Sequence, residues 1–133
     1  LAAGATRHDS TPSPGRRVKL PWGSAGFDVN NLTADGQTIM QRALEWAADA
    51  ATPPVSQDVL LVVGDAATLS SKDAGRKTLM ESWGFTVTVI DDGESQANFD
   101  AAATAADAVY VTASVGGGTL ADKLTGATTG LIN

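Results

Sequence analysis

Three aspartates, one serine and a run of three glycines are the residues of this chain best placed to do chemistry. Asp65, Asp91 and Asp92 each follow a stretch of aliphatic and β-branched residues. That is the carboxyl end of a strand, where α/β proteins gather their functional groups. Carboxylate oxygens converging at a sheet edge suit Mg²⁺ or Ca²⁺. The spacing matches no EF-hand or calcium repeat, however, and Asp91-Asp92-Gly93 reads most simply as a solvated turn, so no metal is expected. Gly116-Gly117-Gly118 precedes a helical segment, and consecutive glycines let backbone N–H groups converge on an anion at a helix amino terminus. The run lacks the Lys and Ser/Thr of a Walker A loop and the Gly-x-Gly-x-x-Gly spacing of a dinucleotide site. A strand-to-helix turn is the expectation there. Asp91 also stands where a Rossmann protein holds ribose, but the turn Gly64–Leu69 has a single glycine, so no nucleotide or other cofactor is expected.

Ser114 lies on the turn Thr112-Ala113-Ser114-Val115-Gly116 and is a conceivable nucleophile. A serine with no adjacent base is a weak one. The one histidine, His8, belongs to an Ala-, Gly-, Ser-, Thr- and Pro-rich opening segment, and nothing in the sequence brings it to Ser114. No catalytic residue is expected. Trp22, Trp46 and Trp83 raise the idea of carbohydrate stacking, but Trp46 and Trp83 fall on apolar helix faces and read as core. Only Trp22, beside glycines, is expected to be exposed.

The elements that must position these groups follow from hydrophobic period. Asp58–Val63 is a continuous apolar run ending in Gly64-Asp65, the pattern of a strand buried on both faces of a parallel sheet. Thr86–Ile90, Ala108–Thr112 and, more weakly, Thr129–Ile132 are the next strands. Ser70 or Ser71 caps a helix to Trp83, Ser95 caps another to Ala106, and a short third helix is expected from about Thr119 to Leu124. Ahead of them, Arg16–Trp22 alternates as a strand closed by Pro21. Thr33 caps a helix from about Ala34 to Ala51, with Ile39, Ala43, Trp46, Ala47 and Ala50 at helical spacing and Met40 and Leu44 widening the stripe.

Alternating strands and helices with short loops imply a flavodoxin-like or Rossmann-like three-layer α/β/α fold with a mainly parallel sheet. The four strands after residue 57 are expected in the order 2-1-3-4. The chain divides into a linker-like segment 1–15, a strand, loop and helix over 16–51, a Pro-containing boundary at 52–57, and a βαβαβαβ unit over 58–133.

Composition narrows the function. At 133 residues the chain is the size of one ordinary domain. Fifteen acidic against nine basic residues give a net charge of −6, which argues against nucleic acid and anionic membrane surfaces. The short cluster Arg16-Arg17 with Lys19 reads as a solvated strand edge. There is no cysteine, which excludes disulfides and thiolate chemistry and fits an exported bacterial protein. No apolar run approaches the roughly 20 residues needed to cross a bilayer. The first residue is Leu1 and no signal-peptide pattern follows, the mark of a processed product or a fragment.

Two segments resemble one family. Gly15-Arg16-Arg17-Val18-Lys19-Leu20, Leu32-Thr33-Ala34-Asp35-Gly36-Gln37 and Ala43-Leu44-Glu45-Trp46-Ala47-Ala48 resemble the closing segment of class I glutamine-amidotransferase-like modules. Residues 58–132 resemble the opening half of the same kind of module, as found in tandem in large secreted bacterial proteins. The chain thus looks like the tail of one module followed by the head of the next. Active members carry a cysteine, partnered by a histidine, on the turn after the third strand; here that turn is Thr112–Gly116 and holds neither. The resemblance therefore implies a pseudoenzyme: a structural or interaction module of a secreted or surface protein, self-assembling into a filament or repeat array. Copies of itself or neighbouring modules would be its partners. The alternative is a small-molecule hydrolase or ligand-binding domain using the loops Asp65–Thr68 and Ser114–Gly118.

Overall fold

A computed structural model describes residues 1–21, 27–48 and 57–133. Its strands are β1 (Arg17–Val18), β2 (Asp58–Val63), β3 (Thr86–Asp91), β4 (Ala108–Val111) and β5 (Gly130–Ile132). The helices are α1 (Ala34–Ala47), α2 (Ser71–Ser82), α3 (Gln96–Ala105) and α4 (Gly117–Leu120). All five strands are parallel and lie in one sheet, in the order β1-β5-β4-β2-β3. The four strands after residue 57 take the expected order, and β1 adds to them beyond β5. The residues read as closing a preceding module therefore share a sheet with the last strand of the unit that follows.

The continuous apolar run of β2 has the predicted cause. Val59, Leu61 and Val63 point into one core with Met40, Leu44, Met80, Ala108 and Tyr110. Leu60 and Val62 point into the other with Ile90, Phe99, Ala103, Val109 and Leu124. A period of two across a sheet covered on both sides makes every position apolar. Helices α1 and α2 thus cover one face and α3 the other, a three-layer α/β/α arrangement.

The caps are those read from the sequence. Thr33, Ser70 and Ser95 each accept a hydrogen bond from the N–H three residues on, at Gly36, Asp73 and Asn98. Four expectations need correction. The strand Arg16–Trp22 contracts to the two residues of β1. Arg17 is not a solvated edge charge: its guanidinium donates to the carbonyls of Arg16, Thr129 and Ala127 and ties β1 to the turn before β5. The third helix of the 58–133 unit starts earlier than predicted and is one turn long, because nothing caps its start and Ala121 takes a positive φ of 47° at its end.

Trp46 supplies the last correction. It is not core but 41% exposed, as is Ile39 at 54%. The apolar stripe of α1 is wider than one sheet contact, and Gly36, Met40, Leu44 and Ala47 occupy the inward face. Trp46 instead carries the Arg16 guanidinium, 5.1 Å from its ring centroid. Trp83 is half-buried against the core, as expected. Helix α1 meets β5 so closely that a Cβ on Gly130 would overlap the Ala47 carbonyl.

Residues 1–15 fold back on themselves through Gly4 N–H to Ser13 O, Ser13 N–H to Ala5 O and Arg7 N–H to Thr11 O. His8 is exposed at the turn of this segment. Trp22, the loop Gly23–Gly26 and most of the boundary at 52–57 lie outside the described residues.

Candidate functional site

The crevice to inspect in this topology lies between the carboxyl ends of β2 and β4, where the chain's progress across the sheet reverses. The chain's own groups close it. Ser114 Oγ accepts the Gly64 N–H at 3.1 Å and shares a 2.7 Å hydrogen bond with Thr112 Oγ1. The approach is so tight that a Cβ on Gly64 would sit 2.5 Å from the Ser114 carbonyl oxygen. Gly64 is needed here because only a residue without a side chain lets the two turns meet.

The three candidate aspartates are engaged in the same way. Asp65 Oδ1 accepts the N–H groups of Ala67 and Thr68, both at 2.9 Å. Asp91 receives Gly93 N–H at 2.9 Å and Ala66 N–H at 3.1 Å, so its carboxylate bridges its own turn to the loop after β2. Those two amide hydrogen bonds, Gly93 first, with Lys123 nearby, hold the Asp91 carboxyl below the usual aspartate value. Asp92 is buried, and its Oδ2 accepts Gly116 N–H at 2.6 Å. Two features that the sequence offered separately, the acidic turn and the triple glycine, therefore meet: the carboxylate at Gly116 belongs to the protein. Gly117 and Gly118 form the first turn of α4 and make no such contact. Lys123 donates to the Asp92 carbonyl at 2.7 Å and lies 5.2 Å from the Phe99 ring centroid, locking the end of β3 from below.

Asp65, Asp91 and Asp92 thus share one edge of the sheet, each turned to backbone amides. No group of three or more His, Cys, Asp or Glu placed to hold a metal ion occurs among the described residues. Among the described residues, Ser114 has an amide and a hydroxyl as partners, not an imidazole or carboxylate.

A second polar cluster, missed in the sequence, lies under α2. Asp73 and Arg76 form an ion pair at 3.0 Å with both side chains 3% exposed. Ser70 Oγ donates to Asp73 Oδ2 at 2.8 Å. The guanidinium also lies over Phe27, 5.6 Å from the ring centroid. Burial raises the Tyr110 phenol above its usual value, against the opposing effect of Arg76 beside it. The signal was legible: residues 73, 76 and 80 fall on one helical face, and Met80 marks that face as buried. Arg76 Nε has no hydrogen-bond partner among the described residues. Between this cluster and Ser114 lies a cavity of about 250 Å³, lined by Phe27, Ser70, Lys72, Asp73, Arg76 and Ser114 among others.

Comparison of the chain with protein-family models, curated proteins and solved structures gave no match.

Proposed function

We propose that the chain is a non-catalytic structural or interaction module of a secreted or surface bacterial protein, and that its likeness to glutamine-amidotransferase-like modules is that of a pseudoenzyme. The observation that carries this reading is the contact of Ser114 with Gly64. The residue at the nucleophile's position serves as a hydrogen-bond acceptor that joins two turns. A serine hydroxyl becomes nucleophilic through a neighbouring base, and the described partners of Ser114 include none. The acidic side chains around it support the same reading, since each is held by backbone N–H groups.

Partners on this reading are copies of the chain or neighbouring modules. Strand β1 and helix α1 join the sheet at β5, which comes from the other end of the described chain. A pairing between such distant segments is one that two copies can exchange, and exchange that does not close on itself builds an open array. Size-exclusion chromatography with light scattering tests this. Mass that grows with concentration is the expected result, and a single monomer mass across a wide concentration range would overturn self-assembly.

A second reading, a small-molecule hydrolase or ligand-binding domain using the loops after β2 and β4, draws support from the cavity beside Ser114. It requires that Ser114→Ala or Asp65→Ala abolish an activity or a ligand while the fold persists. An unchanged assembly in those variants would favour this second reading further.

A further inference from the structure

We infer that the outer edge of β3 is a docking site for β3 of a second copy of the chain, paired antiparallel about a two-fold axis at Val89. The two edges of the sheet differ. Strand β1 is two residues long and its outer side is covered: Arg17 N–H donates to the Leu1 carbonyl, and the Leu1 ammonium donates to the Arg17 carbonyl. Strand β3 is six residues long and pairs with β2 alone. Thr86 N–H donates to the Gln57 carbonyl and Asp92 N–H to that of Val63. The even-numbered residues of β3 therefore bond to β2, and the N–H and C=O groups of Val87, Val89 and Asp91 point away from the sheet. Natural sheets guard such an edge with Lys, Pro or a bulge. Thr86-Val87-Thr88-Val89-Ile90-Asp91 holds neither Lys nor Pro, and its register with β2 is unbroken. Apolar surface flanks it on both faces. Val87 and Val89 are half-buried on the α2 side, and an open groove of about 490 Å³ on the α3 side is lined by Thr88, Ile90, Ala101 and Ala102 among others.

The backbone defines the occupant. Main-chain donors and acceptors repeating at every second residue are met by another extended strand, and β3 itself supplies one that fits. Antiparallel pairing sets outward residues against outward residues. The register that uses all three places Val89 against its symmetry mate, Val87 against Asp91 and Thr88 against Ile90. β-Branched side chains then face one another, and Asp91, the only charge in the strand, meets no like charge. Val89 exchanges both hydrogen bonds with its mate, and Asp91 N–H reaches the Val87 carbonyl. The Asp91 carbonyl already accepts Glu94 N–H at 3.2 Å, so the bond to it from Val87 is the weakest of the ladder. The small side chains of Ala101 and Ala102 leave room beside the new strand pair. A two-fold contact closes on itself and gives a dimer, not an open array. It lies at the opposite edge of the sheet from the proposed β1–β5 exchange and does not depend on it. Each copy carries a net charge of −6, so the dimer should tighten as salt screens that repulsion.

The chain has no cysteine, so single cysteines report the register. Directly opposed, hydrogen-bonded residues have Cα atoms about 5.5 Å apart, within the reach of a disulfide. Two copies of residue 86 would instead lie six residues out of step, about 20 Å apart. Under mild oxidation Val89→Cys should therefore form a covalent dimer about tenfold faster than Thr86→Cys or more, although Thr86 is exposed and Val89 half-buried. Hydrogen exchange on the unaltered chain gives a second readout. The Val87, Val89 and Asp91 amides should slow as concentration rises, while those of Thr88 and Ile90 are protected throughout. Oxidation of Thr86→Cys as fast as that of Val89→Cys would overturn the pairing, as would exchange at Val89 that ignores concentration. Light scattering on the same samples separates the two contacts. Mass growing past a dimer while the Val89 amide stays fast would leave the β1–β5 exchange standing and sink this one. Mass that stops at a dimer with a slow Val89 amide would do the reverse.

Discussion

The loops at the carboxyl end of the sheet and the buried face of α2 both hold polar side chains, yet they treat them in opposite ways. At the strand ends, Asp65, Asp91, Asp92 and Ser114 all accept backbone N–H groups. Every one of these bonds joins a turn to itself or to its neighbour, so polarity there is architecture. Under α2, Asp73 and Arg76 are almost wholly buried, and Arg76 Nε has no hydrogen-bond partner among the described residues. Position in a favoured crevice thus does not tell whether a polar group is left unsatisfied. The crevice that topology points to is closed, and the incompletely satisfied group sits one helix away.

The largest effect should come from breaking the buried pair. Asp73→Ala leaves Arg76 uncompensated and is expected to destabilise the fold by about 3–5 kcal/mol. Urea unfolding checks this, and a loss below about 1 kcal/mol would mean that the pair is hydrated and the contrast unfounded. Prying the two turns apart should come next. Gly64→Ala drives a methyl against the Ser114 carbonyl and is expected to cost about 1–3 kcal/mol by the same measurement. An unchanged midpoint would show that the crevice opens easily. Asp92→Ala strands the Gly116 N–H and should cost about 1–2 kcal/mol, and Ser114→Ala about 1 kcal/mol.

The smallest effect is electrostatic. Asp91 has a folded-state value lowered by its amide partners. It therefore adds stability that is complete above the ordinary aspartate range and is lost as pH falls through it towards the folded value. Unfolding midpoints of the wild type and Asp91→Asn, compared from neutral pH down to about pH 3, should converge on the acid side. A constant difference across that window would remove the carboxylate from the account.

Much of the fold was legible because local and global signals agree. The apolar run of β2 and the serine and threonine caps follow from period and punctuation, whereas the order of the strands after residue 57 rests on the likeness to a flavodoxin-like arrangement. The two-residue length of β1 was not legible, since its pairing with β5 depends on chain segments more than a hundred residues apart. Nor was the orientation of α1: a stripe containing Ile39, Met40, Leu44 and Trp46 offers several inward faces, and only the sheet selects among them. At the candidate site the sequence located the aspartates and the glycines but not their meeting at Asp92 and Gly116. That contact joins the ends of β3 and β4, which are not neighbours in the sheet. Asp73 and Arg76 were overlooked because charged helix residues are usually solvated.

The central claim is that the crevice between β2 and β4 is closed by the protein's own hydrogen bonds. Amide hydrogen exchange at Gly64 and Gly116 tests it most directly. Both amides should exchange far more slowly than those of exposed turns, and Ser114→Ala should release Gly64 while leaving Gly116 protected. Exchange at Gly64 as fast as in an open turn, unaffected by Ser114→Ala, would contradict the account.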